Sequence, residues 1–311
     1  MKPLVSIITP THNRKDMIGR AIESVLAQTM SSFEMVIVDD GSTDGGGKVA
    51  DEYAAKDSRI RVIHLPTNKG ISFATNTGIV NAHGEYIAFL DDDDWLYPDY
   101  MEFLLSLIRE FEADIAICGL DGRSARNFDE RLVMTGEEAV LELLHRRRYN
   151  SMPAAKLFHR SLFGEYLFPD EYKVSHDAAV IYKLLAASNR VAYHGLPKTM
   201  IFQHPNNLSA WMDNNKALNN AVLGEKLKIY RERRDWLIEK YPQHTDYFCY
   251  IEWSFMISMT RRINVSGATD CDVVSAYMRE ELTNNADKFL GCQWIKDAEK
   301  ESMTEFVLGE Q

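Results

Sequence analysis

Short runs rich in Val, Ile and Leu alternate along the first 120 residues with longer segments whose apolar positions recur at helical spacing. The apolar runs are "LVSIIT" (4–9), "EMVIVD" (34–39), "RIRVIHL" (59–65), "EYIAFL" (85–90) and "DIAICG" (114–119). Between them lie "DMIGRAIESVLAQT" (16–29), "GGKVADEYAAK" (46–56), "ISFATNTGIVNA" (71–82) and "DYMEFLLSLIREF" (99–111). This alternation predicts βαβ units and a doubly wound, mostly parallel sheet flanked by helices. From 120 to 215 the pattern loosens, with helices expected at "GEEAVLELLHRRR" (136–148) and "SHDAAVIYKLLAAS" (175–188) and two short strands at "RVAYH" (190–194) and "TMIFQH" (199–204). After Trp211 the chain reads as helix to its end. The change of pattern divides it into an α/β region, 1–215, and a helical C-terminal region, 216–311.

A chain of 311 residues, 45% of them hydrophobic, can bury a large core. Its net charge of −11 argues against nucleic acid as a partner, which needs a surplus of Lys and Arg. Any anionic ligand must therefore be held locally or through a metal. Cys118, Cys249, Cys271 and Cys292 stand apart, without a CxxC pair or a His cluster, so neither a zinc site nor a disulfide framework is expected. The first residues pass directly into a strand pattern without the apolar core of a signal peptide, and no apolar stretch reaches the roughly 20 residues of a membrane helix. A cytoplasmic protein is expected, at most peripheral to a membrane.

In an open α/β sheet, ligands bind outside the carboxyl ends of the strands, so the residues just after each strand carry the chemistry. Here they are "PTHNR" (10–14), "DDGSTDGGG" (39–47), "PTNKG" (66–70) and "DDDDW" (91–95). Four consecutive aspartates beside a buried strand repel one another, and a divalent cation neutralises oxygen ligands placed in that way. A helix cap accounts for Asp94 or Asp99 but not for all four. An EF-hand loop is excluded, since Leu96 stands where that turn requires glycine. The first strand is followed by "TPTHNR" rather than GxGxxG, and GxxxxGK[ST] is missing, which argues against NAD enzymes and P-loop NTPases.

Together "VSIITPTHNR", "VIVDDGSTD", "NKGIS…NTGI", "GEYIAFLDDDDWLYPD", "KVSHDAAVIYKLL" and "FQHPNNLS" resemble the family 2 glycosyltransferases, over roughly residues 3–210. The resemblance implies the Rossmann-like GT-A fold with a nucleotide-sugar donor, UDP-linked by preference, and an inverting transfer. It assigns the family's DxD to Asp91 and Asp93, with Asp93 the direct ligand of Mn²⁺ or Mg²⁺ and Asp92 and Asp94 around it. Asp40 matches the residue that hydrogen-bonds the nucleobase. Pro10, Thr11 and His12 match the lining of the base pocket, and Asp39 supports that loop. The "ED" pair that carries the family's catalytic base becomes His176 and Asp177 here, which makes Asp177 the base; position alone would also allow a helix cap. His204 matches a histidine that in relatives approaches the diphosphate or the metal.

The chain departs from the family pattern at three positions. His12 stands for the usual Tyr, His176 for Glu, and Thr75 for an Arg that would contact the donor, leaving Lys69 or Arg14 as the available cations. The implied acceptor is a carbohydrate or lipid-linked glycan of a surface polysaccharide. The C-terminal aromatics (Trp236, Tyr247, Phe248, Tyr250, Trp253, Phe255) and the basic "RERR" and "TRR" read first as a helical core with solvated faces. An acceptor site, a homodimer contact or a membrane-facing patch are the other readings. "HRRRY" (145–149) reads as a cationic helix end complementing the dipole. Two rival functions remain: a metal-dependent nucleotidyltransferase or phosphohydrolase, which leaves Asp177 without a role, and a non-catalytic nucleotide-sugar-binding scaffold.

Overall fold

The computed structural model describes residues 2–122, 128–204 and 218–309. The expected boundary at 215, Trp211 and the "PNNLS" of the last motif lie outside these residues. By compactness the chain forms two units, Met1–Gln203 and His204–Gln311.

The first unit begins with β1 (Val5–Thr11), α1 (Ile18–Leu26), β2 (Phe33–Asp39), α2 (Gly46–Ala54), β3 (Ile60–His64), α3 (Ile71–Val80) and β4 (Tyr86–Phe89). β5 (Trp95–Leu96), α4 (Tyr100–Phe111), β6 (Ile115–Gly122), β7 (Phe128–Met134), α5 (Gly136–His145), β8 (Lys156–His159), α6 (His176–Ala187) and β9 (Val191–Ile201) follow. All seven residues of β2 are buried, as suits a strand covered on both faces. α1 buries Ile18, Ala21, Ile22 and Val25, the three-and-four spacing of one helical stripe. Helix α5 opens with a capping box between Thr135 and Glu138. At Gly78 of α3 an added Cβ would overlap Ile8, so this glycine lets the helix lie close on β1.

The strand order is β3-β2-β1-β4-β8-β6-β9-β5, with β7 on β9. β1 pairs in parallel with β2 and β4, and β2 with β3, giving the expected wound half. β8 runs antiparallel between β4 and β6. Its reversed direction sets the first residue of β8, Lys156, opposite Ile117 and level with the carboxyl end of β4.

Three expectations need correction. "RVAYH" and "TMIFQH" are not two strands, because β9 runs unbroken from Val191 to Ile201 and absorbs the irregular middle as register shifts against Cys118–Leu120 of β6. The strands β5, β7 and β8 were not expected at all, being short or lying at an exposed edge. The arginines of "HRRRY" do not extend the helix: α5 ends at His145, Arg146 takes a left-handed φ of 53°, and Arg148 pairs with Glu130 and Glu142. Carboxylates, rather than the dipole, receive that charge.

The described residues of the second unit include α7 (Asn220–Lys240), α8 (Thr245–Ser266), α9 (Asp272–Asn284), α10 (Ala286–Leu290) and α11 (Asp297–Met303). Tyr247, Phe248, Tyr250 and Trp253 are buried, and Tyr230 stacks on Phe255 with ring centroids 4.2 Å apart, so these aromatics form the unit's core. The basic "RERR" is used within the unit: Arg231 lies over Tyr277, Arg233 over Tyr230, and Arg234 pairs with the buried Glu252. Among the described residues, no helix is long and apolar enough to cross a membrane.

Candidate active site

The carboxyl ends of β1, β2 and β4 bring the expected segments to one edge of the sheet. After β2, Asp40 turns back and both its oxygens accept backbone N–H groups, from Lys69 at 2.6 Å and Gly70 at 2.9 Å. The exposed Lys69 thus enters through its main chain. Each carboxylate oxygen keeps a second lone pair for a ligand. His12 Nδ1 lies 2.7 Å from the Asp40 carbonyl, so that nitrogen carries the proton and donates, while Nε2 faces the Asn13 amide at 2.9 Å. Gly41 makes the turn possible with φ 68°, and a Cβ there would strike the Thr67–Asn68 backbone. Pro10 and Thr11 end β1 beside this loop, Thr11 level with Asp39.

Asp39 is nearly buried and accepts from the Ser42 N–H at 3.0 Å and from His64 Nδ1 at 2.9 Å. Burial alone would raise its pKa, but these two partners outweigh burial and hold the carboxyl below its usual range. The opposite face of His64 reaches Asp51 at 3.1 Å, and the two carboxylates raise the imidazole's pKa. Asp39 therefore supports the loop rather than facing the crevice.

The four aspartates after β4 form a turn closed by the Asp94 N–H on the Asp91 carbonyl at 3.1 Å. One carboxylate oxygen each from Asp91, Asp93 and Asp94 lies within 4.8 Å of the others. Three hard oxygen donors so close together, with Asp93 and Asp94 only 8% and 2% exposed, suit a divalent cation such as Mn²⁺ or Mg²⁺. Burial is the main cause that pushes Asp91 and Asp92 up to about 7 and Asp94 to about 9, with the neighbouring carboxylates adding to it. Asp177 is among the charges that raise Asp91. Asp92 turns to Arg14, whose Nε lies 3.7 Å away.

Sequence reasoning missed what holds this turn. Arg20 of α1, which no motif singles out, donates from Nη2 to the Asp93 carbonyl at 2.5 Å. Its guanidinium lies 4.3 Å from the Trp95 ring centroid and 4.4 Å from that of Phe202. The Phe202 N–H in turn donates to Asp94 Oδ1 at 2.8 Å. That is why an aromatic follows the aspartates: Trp95 covers the cation that fixes their backbone. Asp99 does not cap α4 with its side chain but pairs with Lys198 at 2.5 Å.

Asp177 sits in the first turn of α6, two residues after Ser175 at the cap position, whose side chain makes no capping bond. Its Oδ2 accepts from the Ser151 hydroxyl at 2.7 Å, a partner that no sequence signal indicated. His204 is the first residue of the second unit.

The raised carboxyls of Asp91, Asp92 and Asp94 predict a pH effect on stability. A folded-state pKa above the unfolded value near 4 means that the contribution is full at low pH and lost as pH rises through about 7 and then about 9. In the presence of a chelator, the melting temperature is expected to fall from pH 5 to pH 9, and Mn²⁺ is expected to raise it more at pH 8 than at pH 5. A chelated protein that gains stability over that range would contradict the burial of these groups.

Residues 6–167 match the family model described as Glycosyl transferase family 2. Over 294 residues the chain is 30% identical to the uncharacterized glycosyltransferase EpsJ of Bacillus subtilis, covering 91% of this chain and 77% of EpsJ. The chain belongs to glycosyl transferase family 2. This family 2 glycosyltransferase has the GT-A fold, shared with S. aureus TarS 1–349 in complex with UDP-GlcNAc at a TM-score of 0.66 and 20% identity, over 98% of this chain and 80% of that 1–349 chain. The mannosyltransferase PcManGT of Pyrobaculum calidifontis, in complex with GDP-Man and Mn²⁺, aligns at a TM-score of 0.54 and 15% identity over 99% of this chain and 86% of that one.

Proposed function

We propose that this family 2 glycosyltransferase moves a sugar from a UDP-linked donor to a hydroxyl of a growing surface glycan, free or lipid-linked, in one inverting displacement that depends on a divalent cation. The observation that carries the reading is the meeting of the Asp91, Asp93 and Asp94 oxygens within 4.8 Å at the edge where Asp177 also acts on Asp91. TarS, of the same fold, binds UDP-GlcNAc, which favours a UDP donor.

In this reading Pro10, Thr11, His12 and Asp40 line the nucleobase pocket, with Asp39 behind them. Asp91, Asp93 and Asp94 would hold the cation, with Asp92 beside them. Such a cation, when bound, supplies Lewis-acid stabilisation of the charge that develops on the leaving diphosphate. Lys69 or Arg14 would supply the positive charge for the donor's phosphates. Asp177 takes the proton from the acceptor hydroxyl as its oxygen bonds to the anomeric carbon. The bond from that carbon to the donor phosphate breaks, and its electron pair leaves with the nucleoside diphosphate. The reading puts this work on the cytoplasmic side of the membrane.

Thermal unfolding with UDP, GDP, CMP and dTDP, each with and without Mn²⁺, tests the donor half. A ligand that binds only the folded state at a hundred times its Kd adds about 2.7 kcal/mol, a shift of several degrees. UDP is expected to stabilise, and only with the metal. Stabilisation by GDP alone would replace the donor, and no response to any nucleotide would overturn donor binding.

A further inference from the structure

Lys156 opens β8 and is 1% exposed. Burying an ammonium group is costly, and an apolar side chain of similar length would fill the same slot without that cost. Its Nζ is spent on two main-chain carbonyls rather than on a carboxylate: that of Asn150 at 2.8 Å and that of Met152 at 2.5 Å. The residue between those carbonyls is Ser151, whose hydroxyl donates to Asp177 Oδ2.

The chain on either side is anchored separately. The Tyr149 hydroxyl donates to the Ala139 carbonyl of α5 at 2.6 Å, and the Tyr100 hydroxyl to the carbonyls of Ala154 and Lys156 at 3.0 and 3.1 Å. Inside the turn, the Met152 N–H donates to Asn150 Oδ1 at 3.0 Å. What remains for Lys156 to set is the direction of the carbonyls at 150 and 152, and with them the side chain between.

We propose that Lys156 is a positioning residue for transfer: by holding the Asn150 and Met152 carbonyls it aims the Ser151 hydroxyl at Asp177, which orients the carboxylate so that Oδ1 faces the acceptor. The proposal rests on the reading of Asp177 as the base. Burial pulls the lysine's pKa down to about 7, while Asp177 is among the charges that oppose that fall, so the two groups also sense each other through space.

The test uses the full chain with Mn²⁺ and UDP-GlcNAc, UDP-glucose and UDP-galactose in parallel, following UDP release with and without a panel of sugar acceptors. Lys156→Met, Ser151→Ala, the double variant, Ser151→Thr and Asp177→Asn are compared with the wild type. Each single variant is expected to lower kcat about tenfold with the donor KM unchanged, well short of the loss in Asp177→Asn. The double variant is expected to lose no more than the worse single, because both changes break one chain of contacts. Ser151→Thr, which keeps the hydroxyl, is expected to restore most of kcat.

Losses that multiply to about a hundredfold in the double variant would overturn the route through Ser151. Wild-type kcat in Ser151→Ala would overturn the proposal even if Lys156→Met fails to fold, and would leave the base in place. Wild-type kcat in Asp177→Asn would overturn the base itself and this inference with it.

Discussion

Asp93→Asn is expected to lower transfer by at least about a thousandfold, or about 4 kcal/mol, since stabilisation of a leaving diphosphate by a bound cation is worth several kcal/mol. The fold is expected to survive. The turn around Asp93 is held through its carbonyl by Arg20 and through the Asp91 carbonyl by the Asp94 N–H, and neither bond uses the Asp93 carboxylate. Removing one of several crowded carboxylates also relieves repulsion, because Asp93 is among the charges that raise Asp91, Asp92 and Asp94. The chelated variant should therefore melt no lower than the chelated wild type at pH 8. Its separate signature is loss of the Mn²⁺-dependent shift with UDP. Transfer within tenfold of wild type would remove Asp93 from the metal site.

Asp177→Asn is expected to lower kcat by roughly 10²–10⁴, the usual contribution of a positioned general base, while the stabilisation by UDP and Mn²⁺ stays at the wild-type level. The substitution keeps the size of the side chain, and an amide oxygen can still accept from Ser151, so the turn and the start of α6 should hold their places. A fall in kcat together with loss of donor binding would point instead to a role in assembling the donor site. Wild-type turnover would leave the proton of the acceptor hydroxyl without an acceptor at this position.

Much of the first unit could be read from its sequence because the relevant forces are local. A run such as Phe33–Asp39, buried along its whole length, has one consistent fate between two layers of helix. The spacing of Ile18, Ala21, Ile22 and Val25 likewise fixes which face of α1 turns inward. The aspartates declare themselves by charge density, and the turn at Asp40 by its Asp-Gly-Ser.

The parts that escaped depend on partners far along the chain. Arg20 resembles any cation on a solvated helix face, and only the approach of Trp95 and Phe202 gives it a function. β9 hides behind Gly195-Leu196-Pro197, which reads as a turn; in the fold the strand continues past it, and a Cβ at Gly195 would collide with the Phe128 carbonyl of β7. β8 is four residues long and begins with a lysine, so no periodicity marks it. The bond from Ser151 to Asp177 spans 26 positions and joins a helix start that the family resemblance marks to a turn that carries no motif.

The reversed direction of β8 has a bearing on how such an enzyme can change over evolutionary time. A parallel strand presents only its trailing residues to the ligand edge, whereas β8 presents the residues that lead into it. The edge is thereby supplied by two stretches well apart in the chain, the carboxylates of the first 94 positions and the segment from Tyr149 to Asp177. Substitutions, insertions or recombination within the later stretch can alter what approaches Asp177 while the earlier carboxylates and their backbone supports are inherited unchanged. On the proposed reading of Asp177 as the base for the acceptor, descendants of such a chain would diverge first in the hydroxyl they accept and only later in the nucleotide they use.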